Sequence, residues 1–344
     1  MKTARAALLV AALVSATASA ADEEESASPW QAIAVSARPV PFATFDDETE
    51  EAGRLRFRGG LVLTSSDDRF GGLSGLAVSA GGARFRALSD RGHWFEGDLV
   101  YADGRLTDVA NVRIATIETE RGLSTTNSRD GDSESLTPAT PGDMDGAFFA
   151  GFEDRHRIAR YSFANDDPGT PLATFTPKTD RRIPGNGGFE AIVMLPDHRL
   201  LAMTEDLVDA HGNTVGFLLT LDEKGIADQA SIAMRRIEPF VPTDLTLLPG
   251  GDLMVLERRF SPLQGVGMQM RLIKGADVKE GAVLDGPVVA NLDMRYVIDN
   301  MEGLSARRGE NGETLLYAVS DDNFNAPIQR TLLLMFALGA DEAQ

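Results

Sequence analysis

Five repeats, whose first residues are 54 to 60 positions apart, constrain the fold of this chain more than any other feature. In each repeat an acidic or hydroxyl residue opens a short apolar run, and a second apolar run later ends in Asp or Glu. Repeats of this length, built from short runs with Gly, Asp and Asn turns, are typical of a β-propeller. The opening residues are Ser74, Glu134, Glu190, Asp244 and Glu302.

The pattern inside a repeat predicts four strands joined by hairpin turns, and no segment has a sustained helical period. The predicted fold class is therefore all-β, a propeller of five four-stranded blades. The last repeat lacks an outer strand, which would leave an exposed edge. The unpaired run Leu55–Leu63 is expected to supply that strand and close the ring. A sixth, degenerate blade that uses Gln31–Phe45 stays open as an alternative.

The N-terminus predicts export. Lys2 and Arg5 precede a short apolar stretch, and Ala18-Ser19-Ala20 fits the small-residue cleavage rule, so residues 1–20 are interpreted as a signal peptide. The expected location is the periplasm or the medium. Residues 21–53 are a lead-in expected to be partly disordered, residues 54–338 form the propeller, and residues 339–344 are a C-terminal tail. The chain has no cysteine, so its stability must come from the core or from bound metal.

Charge excludes two classes of partner. The formal net charge is −19, whereas nucleic acids and anionic membranes require a basic face. The sequence has no apolar run long enough to span a membrane. The protein is expected to be a monomer whose partner, if any, is a small molecule.

Propeller geometry gives the opening residues a possible chemical role. The innermost strand of each blade lines the central channel, so the four opening carboxylates should meet there and repel one another unless a cation or shared protons intervene. Oxygen ligands favour Ca²⁺ or Mg²⁺ over zinc. The alternative is that each acid only caps a strand. The predicted Ca²⁺ ligands are Glu134, Glu190, Asp244, Glu302 and Asp321.

Arginine could bind an anion at the same mouth. Arg91 and Arg258 follow two of the acids that end the second runs, and guanidinium groups hold phosphate bidentately. The alternative is that both arginines form surface ion pairs. Ser74, where other repeats have an acid, leaves a gap for substrate or water. The second acidic series is Asp90, Glu153, Glu205, Glu257 and Asp321.

Several segments resemble the bacterial "esterase-like activity of phytase" family. They include FGGLSGL at 70–76, ALSDRG at 87–92, GGFEAI at 187–192, NMEGL at 300–304 and VSDDNF at 319–324, and the similarity spans residues 54–338. The resemblance implies a β-propeller and hydrolysis of phosphoesters or esters. By analogy with propeller phytases it also implies Ca²⁺ ions that bind phosphate and activate water.

Two hypotheses follow. The first is an exported Ca²⁺-dependent phosphoesterase or esterase, in which Glu190 and Asp90 are the catalytic carboxylates and Arg91, Arg258 and Ser74 contact the substrate. The second is a non-catalytic envelope propeller that binds a ligand or a partner protein, with Ca²⁺ in a structural role. Because propellers host both classes, the fold does not choose between them.

Overall fold

Hairpin-connected strands dominate the computed structural model, which describes residues 28–46, 48–185, 187–223 and 225–340. The predicted signal peptide and residues 21–27 and 341–344 lie outside these ranges. Within them the strands form five sheets. The first strands in chain order are β1 (Gln31–Ala32), β2 (Val35–Pro39), β3 (Glu51–Ala52) and β4 (Leu55–Ser65).

The first two blades are antiparallel meanders. In each blade the first strand is the innermost and the following strands lie successively further out. Blade 1 comprises β5 (Leu73–Val78), β6 (Arg84–Ser89), β7 (His93–Ala102) and β8 (Arg105–Thr116). Blade 2 comprises β9 (Ser133–Pro138), β10 (Ala147–Phe152), β11 (Arg157–Ser162) and β12 (Ala173–Phe175).

The chain segment that forms blade 4 also adds one short strand to the outer edge of blade 3. Only after this strand does the chain complete blade 4. Blade 3 has β13 (Ala191–Met194), β14 (Arg199–Val208), β15 (Thr214–Asp222) and β16 (Gly225–Met234), with β20 (Val283–Leu284) parallel at its edge. Blade 4 has β17 (Val241–Leu247), β18 (Leu253–Ser261), β19 (Gly265–Ile273) and β21 (Val288–Leu292). A single 3-10 turn spans Gly275–Asp277 in the described ranges.

Blade 5 closes the ring as the sequence predicted. It contains β22 (Asn300–Arg308), β23 (Thr314–Asp321) and β24 (Thr331–Leu338). The N-terminal strand β4 pairs with β24, with Leu61 opposite Leu333, and so removes the exposed edge. Residues 31–39 do not build a sixth blade, because β1 pairs with the outer strand of blade 1 and β2 pairs with β4.

Packing repeats with the blades. The inner strands β5, β9, β13, β17 and β22 contact one another in a closed ring. One cluster of buried apolar side chains fills each interface between neighbouring blades, such as Trp94 of blade 1 against Phe148 and Tyr161 of blade 2. Each blade therefore buries both faces against its neighbours, which is how a chain of this length forms one domain.

Candidate functional site

A β-bulge near the start of the inner strand leaves one extra residue in four of the five blades. In blade 4 Pro242 pairs with Glu257 and Asp244 pairs with Leu256, so Thr243 is the extra residue. The same irregularity makes Ser74, Glu134 and Glu302 the extra residues of their blades. Bulges commonly re-aim side chains beside functional sites. Glu190 immediately precedes β13 and completes this set.

Asp244 lies one residue beyond the bulge and faces another environment. Its carboxylate accepts hydrogen bonds from the amides of Leu245 at 2.8 Å and Leu304 at 2.6 Å. Burial raises the pKa of Asp244 well above its usual value, while the two amide bonds lower it. The other predicted Ca²⁺ ligands are not among the causes of that pKa shift. Asp244 thus joins blade 4 to blade 5, apart from the remaining predicted ligands.

The second strands deliver a second set of side chains to the same mouth. The backbone amides of Asp90, Glu153 and Glu205 donate to carbonyls that lie two residues before Ser74, Glu134 and Glu190. The three acids therefore occupy equivalent positions in their blades. In blade 5 that position is Asp321, and in blade 4 it is Arg258. Arg258 therefore corresponds to Asp90 and not to Arg91. Glu257 is one residue earlier.

Glu257 points into blade 4 and does not reach the mouth. Its carboxylate accepts a hydrogen bond from Nε of Arg271 at 2.8 Å and another from Gln269 at 2.6 Å. The Glu257 and Arg271 side chains are 1% and 0% exposed. This buried pair belongs to the blade's interior.

The acids at the mouth are close enough to perturb one another. Burial raises the pKa of Glu134 well above its usual value, and Glu190 and Glu302 raise it further. Burial likewise raises the pKa of Glu190, and so do a hydrogen bond to Glu153 and that residue's charge. Burial and mutual repulsion therefore favour the protonated forms of these two carboxyls.

Further acids extend the cluster toward blade 1. Burial raises the pKa of Glu302 to about 8, although Arg258 lowers it. Burial and the charge of Asp321 raise the pKa of Asp90 to about 7, against the opposing effect of Arg91. Burial also raises the pKa of Asp321 to about 6. The mouth thus has carboxyls whose proton affinities span neutral pH.

Arg258 is the one basic residue among the five equivalent second-strand positions. Its guanidinium donates to Asn300 at 3.0 Å and to Glu205 at 3.2 Å, and its Nε lies 3.5 Å from Glu302 Oε1. Burial lowers the pKa of Arg258, but four surrounding glutamates outweigh burial and raise that pKa above its ordinary value. Arg258 therefore remains a fixed positive charge inside an acidic cluster.

Asp132, Glu134 and Glu153 form a possible acidic metal-binding triad. Each offers one oxygen, and the three oxygens lie within 4.8 Å of one another. Ca²⁺ binds oxygen at about 2.3–2.6 Å, so two of its ligands are at most about 5 Å apart, and the triad fits that limit. Glu153 Oε1 accepts hydrogen bonds from the amides of Gly187 and Gly188, the latter at 2.7 Å, which hold this carboxylate in place.

The triad includes two residues that were not among the predicted ligands. Asp132 lies two residues before Glu134, as Asn300 lies two residues before Glu302. The sequence contains this two-residue spacing, but the spacing places Asp132 at the site only because of the bulge at Glu134. Glu153 was assigned only to the second acidic series. His156 lies beside Glu153, and its Nδ1 is buried without a hydrogen-bond partner among the described residues.

The predicted substrate contacts lie in different surroundings. The buried Ser74 hydroxyl donates to the Ser133 carbonyl of the next blade. The Arg91 guanidinium carbon lies 3.3 Å from the centroid of the Phe324 ring, in a cation–π contact. Arg91 is therefore on the blade 1 side of the mouth, next to Asp90, while Arg258 is within the acid cluster.

Apolar side chains line the space between the inner strands below the acids. Further along the inner strands, side chains such as Leu76, Leu136, Leu245 and Leu304 converge around a void of about 30 Å³. That space accommodates about one water molecule.

A five-bladed propeller with an acidic mouth is the class of protein that this geometry defines. The family model described as "Phytase-like: Esterase-like activity of phytase" matches residues 68–324. The chain belongs to this family. The comparison with curated proteins gives no match.

Solved structures show only distant likeness. The PQQ-bound aldose sugar dehydrogenase of Streptomyces coelicolor is 14% identical with a TM-score of 0.41, covering 89% of this chain and 99% of its own. The endo-arabinase of Bacteroides thetaiotaomicron is 10% identical with a TM-score of 0.45, covering 80% and 97%. Values this low carry no argument about function. No helix in the described residues is long and apolar enough to cross a membrane.

Proposed function

We propose that this protein is an exported, Ca²⁺-dependent phosphoesterase or esterase that acts at the acidic mouth of the propeller. One observation carries the proposal: a triad of carboxylates belongs to a cluster of buried acids that also surrounds Arg258, whose pKa is raised in part by Glu134 of the triad. Protons on the buried acids offset their mutual repulsion when no cation is present, and a divalent cation would replace those protons.

Asp132, Glu134 and Glu153 would hold the cation. Bound there, it would supply positive charge against the substrate and lower the pKa of a water molecule. Arg258 contributes a permanent charge that orients a phosphate. These groups divide the work between binding and charge neutralisation, and none of them needs to form a covalent bond to substrate.

Two carboxyls handle the protons. Glu190, which is hydrogen-bonded to Glu153, accepts a proton from the attacking water as its oxygen bonds to phosphorus. The ester P–O bond breaks, and Asp90 donates a proton to the departing alkoxide, for which its pKa of about 7 is well suited. The products are one alcohol and one hydrogen phosphate.

The test is turnover of a panel of phosphoesters and carboxylic esters by the mature protein, first in chelator and then with added Ca²⁺. Glu134→Gln should abolish turnover and weaken Ca²⁺ binding at least about tenfold in calorimetry, because one charged ligand is lost. Glu310→Gln, an exposed change in a turn of blade 5, is the matched control and should change neither. Turnover that persists in chelator would refute the metal-dependent mechanism.

A second candidate function has its own support. Arg258 and Glu153 already have protein partners, Asn300 and Glu205 for the arginine and two backbone amides for the glutamate. A propeller that binds a ligand or partner protein and uses Ca²⁺ structurally would need no free groups. A rise in melting temperature with Ca²⁺, combined with no turnover across the panel, favours this candidate.

A further inference from the structure

A cleft of about 920 Å³ opens from the acid cluster between blades 4 and 5. Its inner end is polar and is formed by Arg258, Asn300 and Glu302. Nε of Arg258 is buried and has no hydrogen-bond acceptor among the described residues. The cleft is therefore continuous with the candidate site, and at its inner end Nε of Arg258 makes no hydrogen bond to a described residue although it lies 3.5 Å from Glu302 Oε1.

Three large apolar side chains line the cleft, together with the polar Asn323, Asn325 and Gln329. Phe260 follows Arg258 by two residues on β18 and is 70% exposed, while Met294 and Ile328 are 51% and 78% exposed. Large apolar side chains are seldom left this exposed around one opening unless something covers them. The cleft thus combines the charged groups of the acid cluster with exposed apolar side chains.

The charges in the cleft limit the ligand. Its lining has two basic side chains, Arg258 and Arg330, and two acidic ones, Asp299 and Glu302. Nε of Arg330 lies 3.4 Å from the Asp299 carboxylate, so that arginine is already paired. Arg258 also lies near two carboxylates, Glu205 and Glu302, so a substrate with several phosphates would lack counter-charges here, whereas a single phosphate would share the Arg258 guanidinium with them.

We propose that the cleft selects phosphomonoesters of apolar alcohols, such as aryl phosphates. The phosphate lies at Arg258, and the alcohol portion lies against Phe260, Met294 and Ile328. This inference rests on the proposed function, because the same mouth supplies the hydrolytic groups. Water adds to phosphorus, the ester P–O bond breaks, and the apolar alcohol departs through the cleft.

Kinetics test the selection. Phenyl phosphate should have a KM about tenfold below that of methyl phosphate, since the ring buries apolar surface in the cleft. The double variant Phe260→Ser/Ile328→Ser should raise KM for phenyl phosphate about tenfold and leave kcat and the methyl phosphate reaction unchanged. Leu263→Ser, on the same hairpin but 97% exposed and outside the cleft, is the control and should behave as wild type. Equal KM values for the two esters in the wild type would overturn the proposal.

Binding separates this inference from catalysis. Calorimetry with phenylphosphonate, which is not hydrolysed, should show Ca²⁺-loaded wild type binding about tenfold more tightly than it binds methylphosphonate, and the double variant should lose that preference. If no ester is turned over, catalysis is wrong, yet this preference alone would still support the cleft assignment. Equal affinity for the two phosphonates would overturn it. All three substituted side chains are exposed, so the variants should fold.

Discussion

Removing divalent cations should make the protein less stable as the pH rises from about 6.5 to 8. Burial holds the pKa of Glu302 at about 8, against an ordinary value of 4.5, and the pKa of Asp90 at about 7, against 3.8. In this range the folded chain binds protons that the unfolded chain has already released. By linkage, stability is then present at low pH and is lost as the pH rises toward these folded-state values.

The range from pH 6.5 to 8 avoids the titration of His93, which changes the stability in the opposite direction. Burial lowers the pKa of His93 to about 4, so this histidine makes stability rise with pH between about 4 and its ordinary value of 6.5. Above about 6.5 only the acids still titrate. Linkage gives a loss of about 2 kcal/mol from Glu302 and Asp90 together between pH 6.5 and 8. For a domain of this size that loss corresponds to about 5 °C in melting temperature.

The assay is thermal unfolding in chelator at half-unit pH steps, repeated with saturating Ca²⁺. Glu302→Gln should reduce the pH slope, whereas Glu310→Gln should leave it intact. Ca²⁺ should flatten the slope, because a bound cation keeps the acids ionised. A melting temperature that stays constant or increases from pH 6.5 to 8 in chelator would refute the electrostatic reasoning.

Three further predictions concern individual residues. Asp244→Ala should cost about 2–4 kcal/mol in urea unfolding, because two buried amides lose their acceptor, while Ca²⁺ affinity should be retained. Gly188→Ala should weaken Ca²⁺ binding in calorimetry, because its new Cβ would lie 3.1 Å from Glu153 Cγ; unchanged affinity contradicts that. Arg271→Met should cost about 3–5 kcal/mol by leaving Glu257 buried and unpaired, and the double variant Arg271→Met/Glu257→Leu should recover much of that loss in urea unfolding.

The overall architecture could be predicted because it depends on periodic features. Repeat spacing indicated the five blades, and the unpaired run at Leu55–Leu63 indicated ring closure. Both follow from the requirement that apolar faces be buried and strand edges be paired. The role of residues 31–39 as outer edge strands could not be predicted, since short edge strands have little apolar pattern of their own.

The site was harder to predict because one-residue shifts reverse side-chain direction. In blade 4 the sequence pattern aligned Asp244 and Glu257 with the acids of other blades, whereas the bulge at Thr243 puts Thr243 and Arg258 at those positions. A bulge has no sequence signature in this chain. For the same reason Asp132, which depends on the bulge at Glu134, could not be predicted as part of the triad.

The narrow space lined by Leu76, Leu136, Leu245 and Leu304 has a consequence for how a ligand enters and leaves the mouth. The space among these leucines is about 30 Å³, enough for about one water molecule, so a larger ligand at the acids would have to leave by the opening through which it entered. One ligand would then have to leave before the next could enter, and an anion that stays bound beside Arg258 would block the entry of another. The loops of blades 4 and 5 line this opening. Their shape would therefore set how long a ligand stays bound at the mouth.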